Sequence, residues 1–128
     1  MTHINIYSKS LCVQCDGTLR IINNAIKEGH LDPAQVTVYM MDGTEPRPGK
    51  VDESIEVIRI EGKAEQDTLR AKLRDHPGTG MSSPAVFVLE SKEGDSHEVD
   101  VFSGMNPDRI KAAIQTASTS TPALAASA

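Results

Sequence analysis

Residues 4–8, Ile-Asn-Ile-Tyr-Ser, alternate apolar and polar side chains, the period of a strand with one buried face. After a short turn, Lys9-Ser10-Leu11, the period changes. Leu19, Ile22 and Ile26 fall on one face at helical spacing with Ala25 beside them, and Gly29 supplies a C-terminal stop. The helix therefore starts at or near Cys12. Alternation returns over residues 35–41, where Val36, Val38 and Met40 mark a second strand. Residues 42–54 carry Gly43, Pro46, Pro48 and Gly49 and read as a loop, followed by an apolar strand candidate at 55–60. Either candidate suits the strand that follows the helix in a parallel crossover. A loop this long in a small domain is a functional feature or an insertion.

In the second half, residues 64–76 are charged, with Leu69 and Leu73 four apart, and stop at Pro77-Gly78, which predicts an amphipathic helix. Ser83-Pro84 opens the run Ala-Val-Phe-Val-Leu, which suits a central strand covered on both faces. A polar turn at 91–96 leads to Val99-Asp100-Val101-Phe102, the other arm of a hairpin. Asn106 caps a last helix, with Pro107 at its first position and Ile110, Ala113 and Ile114 as its stripe. Residues 118–128 are Ser, Thr, Ala and Pro with one Leu and read as a disordered tail, leaving one domain over 1–117. The order β-α-β-(insertion around 42–62)-α-β-β-α predicts an α/β sandwich, a mixed four-stranded sheet flanked by helices.

Composition narrows the function. Lys and Arg number 13 against 18 Asp and Glu, a net charge of −5 over 128 residues, which disfavours nucleic acid as a partner. The only aromatic residues are Tyr7, Tyr39, Phe87 and Phe102, too few to predict a base-stacking platform. No stretch approaches the ~20 apolar residues of a membrane span, and residues 1–5 lack the features of a signal peptide. The expectation is a cytoplasmic monomer without membrane contact.

The two cysteines, Cys12 and Cys15, carry the chemistry. In a reducing compartment such a pair fits a redox dithiol, half of a metal site or an accident of sequence. A metal site needs about four ligands. There is no second cysteine pair, and His3, His30, His76 and His97 are scattered and read as surface residues, so no metal is predicted. The strand-to-helix turn favours the dithiol. A thiol attacks as its thiolate, which the unpaired N–H groups and dipole of a helix N-terminus stabilise. Cys12, at the helix start, is placed to attack; Cys15, one turn deeper, is placed to resolve. Lys9 adds a nearby cation, while Asp16 is expected to face solvent. Pro84 belongs at a strand start or bulge, and a cis bond there turns the Ser83 backbone toward the dithiol.

Taken together, Tyr7-Ser8-Lys9, Cys12-Val13-Gln14-Cys15-Asp16-Gly17-Thr18, Ser83-Pro84-Ala85-Val86 and Phe102-Ser103-Gly104-Met105-Asn106-Pro107-Asp108-Arg109-Ile110 resemble the glutaredoxin-like NrdH-redoxins. The resemblance spans residues 4–29 and 64–115. It implies a thioredoxin-like fold of the glutaredoxin type, Cys12 as nucleophile, Cys15 as resolving thiol and Pro84 as a cis-proline. It places Lys9, Val13, Gln14, Ser83, Pro84, Ser103 and Gly104 at the substrate surface. It further implies a redox-active Cys12–Cys15 disulfide without a bound cofactor, reduction by thioredoxin reductase, and a class Ib ribonucleotide reductase or other disulfide-containing protein as acceptor. The chain departs from the family at Ser10, where a Pro is usual and whose absence loosens the turn. It departs again at Phe102, in place of Trp, and at Met105 and Asn106, in place of Phe and Arg. Other classes stay open: a glutathione-dependent glutaredoxin, a non-catalytic thioredoxin-fold binding module that uses the 42–54 loop, and a metal or iron–sulfur carrier.

Overall fold

In the computed structural model, which describes residues 1–79, 83–92 and 94–120, the alternating segment near the N-terminus forms β1 (Thr2–Ser8), two residues longer than its pattern. Its alternation is complete: Thr2, Ile4, Ile6 and Ser8 are buried and the residues between them half-buried. Around this strand the elements run α1 (Val13–Lys27), β2 (Val36–Met40), β3 (Glu56–Arg59), α2 (Lys63–Asp75), β4 (Ala85–Lys92), β5 (Asp95–Ser103) and α3 (Pro107–Ser120).

These build one mixed sheet in the order β3-β2-β1-β4-β5. β1 runs parallel to β2 (Ile4 opposite Val36, Ile6 opposite Val38) and antiparallel to β4 (Ile4 opposite Val88, Ile6 opposite Val86). The sheet has five strands rather than the expected four, because both apolar candidates after α1 join it. β3 lies parallel to β2, with Val38 opposite Val57. As a four-residue edge strand with exposed ends, it shows little burial pattern in the sequence. Its position also accounts for the long preceding loop, since a parallel strand pair needs a crossover of about a dozen or more residues. Here the crossover is the 42–54 segment. It is fastened to α1 by Asn23, which donates to Lys50 O (2.8 Å) and accepts from Asp52 N (3.0 Å).

The sheet face bearing Ile4, Ile6, Val36, Val38, Val86 and Val88 packs with Leu19 and Ile22 of α1, Phe102, and Ile110 and Ile114 of α3. At the far end of this core Gln35 is fully buried and donates from Nε2 to Thr2 O (3.0 Å) and Ala117 O (3.1 Å), joining β1 to α3. The opposite face is less covered than the apolar run in β4 suggested. Tyr7 stacks on Tyr39 (4.7 Å between centroids) and meets the edge of Phe87, whose ring in turn meets His76 just beyond α2. α2 itself buries only Leu73, so Phe87 and Leu89 stay half-buried.

The helix ends follow the capping logic of the sequence. Cys12 is the N-cap of α1, and Gly29, just past its C-cap, has φ +79°. Asn106 Oδ1 accepts from Arg109 N (3.4 Å) at the start of α3. α3 runs to Ser120, three residues beyond the expected domain edge at 117. Its Thr116 and Thr119 hydroxyls donate back to Ala112 O and Thr116 O. The rest of the segment read as a tail, 121–128, lies outside the described residues. His3 and His76, read as surface residues, are half-buried and bonded, His3 to Thr37 (2.8 Å) and His76 to Glu98.

Gln35→Ala removes two buried hydrogen bonds and opens a cavity, and is expected to cost about 2–3 kcal/mol in urea unfolding. Burial lowers the pKa of His3 from its ordinary value, against an opposing pull from Glu56. Folding thus favours the neutral ring, and its contribution, complete above the unfolded-state pKa, is lost as pH falls through the lowered one. His3→Gln is therefore expected to flatten the fall in unfolding free energy between about pH 7 and pH 5.

Candidate dithiol site

The site hangs from the C-terminal end of β1. Beyond Ser8 the chain passes through exposed Lys9 and Ser10 to Leu11, which has φ +52°, and then enters α1 through Cys12 in an extended conformation (φ −127°, ψ 106°). That geometry brings the Cys12 sulfur back over the first turn, where it accepts from Cys15 N at 3.1 Å. A sulfur thus fills the role usually taken by a Ser or Asp oxygen at an N-cap. Asp16 N completes the turn on Cys12 O (3.0 Å).

Cys15 is fully buried, whereas Cys12 is half-buried. Their Cα atoms are 5.2 Å apart, inside the range that a disulfide spans, and the two sulfurs lie close to bonding distance. One side of Cys12 is bounded by the Ser83–Pro84 segment. That peptide bond is cis, and Ser83 O lies 3.9 Å from Cys12 Sγ, a contact in which a Cys12 thiol donates.

Hydrogen bonds then link three of the sequence motifs, those at 12–18, 83–86 and 102–110. Gly104 N donates to Pro84 O (2.9 Å), and Met105 N donates to Gln14 Oε1 (3.1 Å). Gly104 has φ +75°, which lets β5 turn toward α1 at this point. The Met105 sulfur accepts from Thr18 Oγ1 at 3.5 Å and lies against Gly17, where an added Cβ would stand only 3.0 Å from it. The glycine after Cys15-Asp16 is thus where α1 and the loop after β5 approach each other.

Of the residues read as substrate-facing, Gln14, Ser83, Pro84 and Gly104 are brought together by these contacts. Val13 is 86% exposed beside Cys12, and Ser103 ends β5 opposite Ala85. Lys9 is exposed on the turn and takes part in no ion pair among the described residues. Asp16 does not simply face solvent: it pairs with Lys50 of the crossover at 3.3 Å. Phe102 is 2% exposed and belongs to the core, with the Arg109 guanidinium 4.9 Å from its ring centroid. Arg109 is itself held by Asp100 and Val101 O.

Two features escaped the sequence reading. The first is Asp42, whose Oδ2 accepts from Ser10 N (2.9 Å) and Ser10 Oγ (2.6 Å), and whose Oδ1 accepts from Thr44 N (3.3 Å) and Thr44 Oγ1 (2.7 Å). Burial works to raise its pKa, but the hydrogen bonds from Ser10 and Thr44 overcome this and hold the carboxyl well below its ordinary range. Ser10 is therefore tethered, and the turn that the missing proline was expected to loosen is held by another means. The Asp-x-Thr spacing hints at the local half of this cluster; nothing in the sequence pairs residue 10 with residue 42. The second feature is the exposure of two further apolar side chains, Leu11 and Met105, in addition to that of Val13. Among the described residues no group of three or more His, Cys, Asp or Glu side chains is gathered as a metal would need.

Leu11 carries both a left-handed backbone and an 88% exposed side chain, so folding gains nothing from its identity. Leu11→Gly is expected to leave folding stability unchanged or raised by up to about 1 kcal/mol in chemical denaturation, because relief of the left-handed backbone offsets glycine's entropy cost. No protein-family model matches the chain, and neither a curated protein nor a solved structure matches it.

Proposed function

We propose that this chain is a small dithiol–disulfide oxidoreductase on a thioredoxin-like framework. The observation that carries the reading is the division of labour at the start of α1. Cys12 is accessible, with its sulfur on the Cys15 N–H, and Cys15 is buried one turn below. The arrangement β1-α1-β2 followed by β4-β5-α3, with Ser83–Pro84 against the cysteines, supports the framework; β3 is then an added edge strand.

In the proposed reaction the Cys12 thiolate attacks one sulfur of the target disulfide. The S–S bond breaks, the other target sulfur leaves as a thiolate and takes up a proton, and a mixed disulfide links Cys12 to the target. Cys15 then loses its proton and attacks Cys12 Sγ, releasing the second target thiol and forming the Cys12–Cys15 disulfide. Two electrons and two protons pass to the target. The N–H of residue 15 and the positive end of α1 favour Cys12 as thiolate. No bound cofactor takes part in this exchange.

By resemblance, the oxidised protein is returned to the dithiol by NADPH through thioredoxin reductase, and the acceptor is a class Ib ribonucleotide reductase or another protein disulfide. The exposed aliphatic side chains of Leu11 and Val13 favour a protein segment over glutathione, which has no apolar side chain to cover them.

The test is insulin reduction driven by NADPH, either through thioredoxin reductase or through glutathione and its reductase. We expect turnover with thioredoxin reductase, abolished in Cys12→Ser, and a trapped mixed disulfide in Cys15→Ser. Turnover with glutathione alone replaces the proposed donor, and no turnover in either system removes the enzyme reading.

A further inference from the structure

We propose that Asp42 is a positioning residue for Cys12, holding the turn from which the nucleophile is presented. The inference rests on the dithiol reading above and adds what keeps its geometry in place. The β1–β2 ladder is carried up to the turn by Met41 N donating to Ser8 O (2.8 Å), which sets Asp42 beside it. Residues 9–11 are all exposed, so packing does not hold them. Among the described residues, the only side-chain hydrogen bonds to this turn are the two that Asp42 accepts from Ser10. Thr44, bonded through both its N–H and its hydroxyl, fixes the other carboxylate oxygen, so the acceptor is itself immobilised.

The consequence passes along three residues. With Ser10 anchored by N–H and Oγ, Leu11 is held at φ +52° and Cys12 in the extended conformation that returns its sulfur to Cys15 N. A turn released from Asp42 samples other conformations, in most of which the N–H no longer meets the sulfur, and the thiolate loses part of its stabilisation. A proline at position 10 would restrict this turn through its ring but has no N–H to give. The Ser10–Asp42 pair restricts it through hydrogen bonds instead.

The proposal makes a prediction opposite in sign to simple electrostatics. A carboxylate near a thiol disfavours the thiolate, so removing its charge alone lowers the thiol pKa. If Asp42 acts as an anchor, removing it raises that pKa.

The experiment is the pH profile of iodoacetamide alkylation of reduced full-length protein, with Cys12 followed by peptide mass spectrometry and folding checked by circular dichroism. For Asp42→Ala, which leaves no acceptor for Ser10, we expect the midpoint to move up and the rate at pH 7 to fall about fivefold, the effect of losing an N-cap bond to the reactive form. Ser10→Ala, at an exposed position where folding is not at risk, removes one of the two anchoring bonds. It is expected to shift the midpoint in the same direction by less. An unchanged or lowered midpoint in folded Asp42→Ala overturns the proposal; should that variant not fold, an unchanged midpoint in Ser10→Ala does so. A wild-type Cys12 midpoint near the ordinary thiol value of about 8.5 instead overturns the dithiol reading itself.

Discussion

The position of β1 between a parallel and an antiparallel neighbour is the constraint on which the rest of this structure depends. Its buried residues, Ile4 and Ile6, meet Val36 and Val38 on one side and Val88 and Val86 on the other, so six aliphatic side chains form the floor of the core. α1 and α3 pack on that floor, and the strict alternation in β1 leaves no freedom of register, since a one-residue slip would expose the isoleucines. The same pairing decides where chemistry is placed. The C-terminal end of β1 faces the end of β2 and the beginning of β4, so residues 8–12, 41–44 and 83–85 converge.

From that convergence the site is assembled mainly by backbone groups. Ser83 O, Pro84 O, Gly104 N, Met105 N and Cys15 N make the contacts, with the Gln14 amide and the Cys12 sulfur as the chief side-chain partners. Such a frame tolerates side-chain replacement. Phe102 stands where the resembled family has Trp, yet it fills the core beneath Arg109, and the Gly104–Pro84 link does not involve its ring. The crossover between β2 and β3 plays a comparable part on the other flank, where it brings Lys50 to Asp16 and Asp42 to Ser10.

Much of this was legible in the amino-acid order. Alternation at 4–8 and 35–41, the helical spacing of Leu19, Ile22 and Ile26, and Asn106-Pro107 located their elements to within a few residues. The Cys-Val-Gln-Cys segment at a strand-to-helix change placed two sulfurs on one helical turn, where they lie close to bonding distance. What was not legible involved residues whose partners lie far away along the chain. β3 has only Val57 and Ile58 as apolar members, and the parallel register with β2 makes it a strand. Ser10 reads in the sequence as the loss of a proline, whereas Asp42, 32 residues on, accepts from both its N–H and its hydroxyl. Asp16 reads as solvent-facing from its place on the first helical turn, whereas the crossover brings Lys50 to 3.3 Å from it.

The sequence by itself determined the periodicity of each element, the punctuation between them, and the pairing of two cysteines on one helical turn. These are local properties, set by neighbours three or four residues apart. Tertiary structure alone decided that the crossover anchors the turn before Cys12. It also decided that Gly104 and Met105 close the site against Pro84 and Gln14, and that Leu11 stands exposed in a left-handed backbone beside Cys12. Each of these contacts joins groups that the folded sheet brings within about 3 Å, or sets a backbone angle that such contacts hold, and a hydrogen bond at that distance depends on strand pairing that no local pattern records.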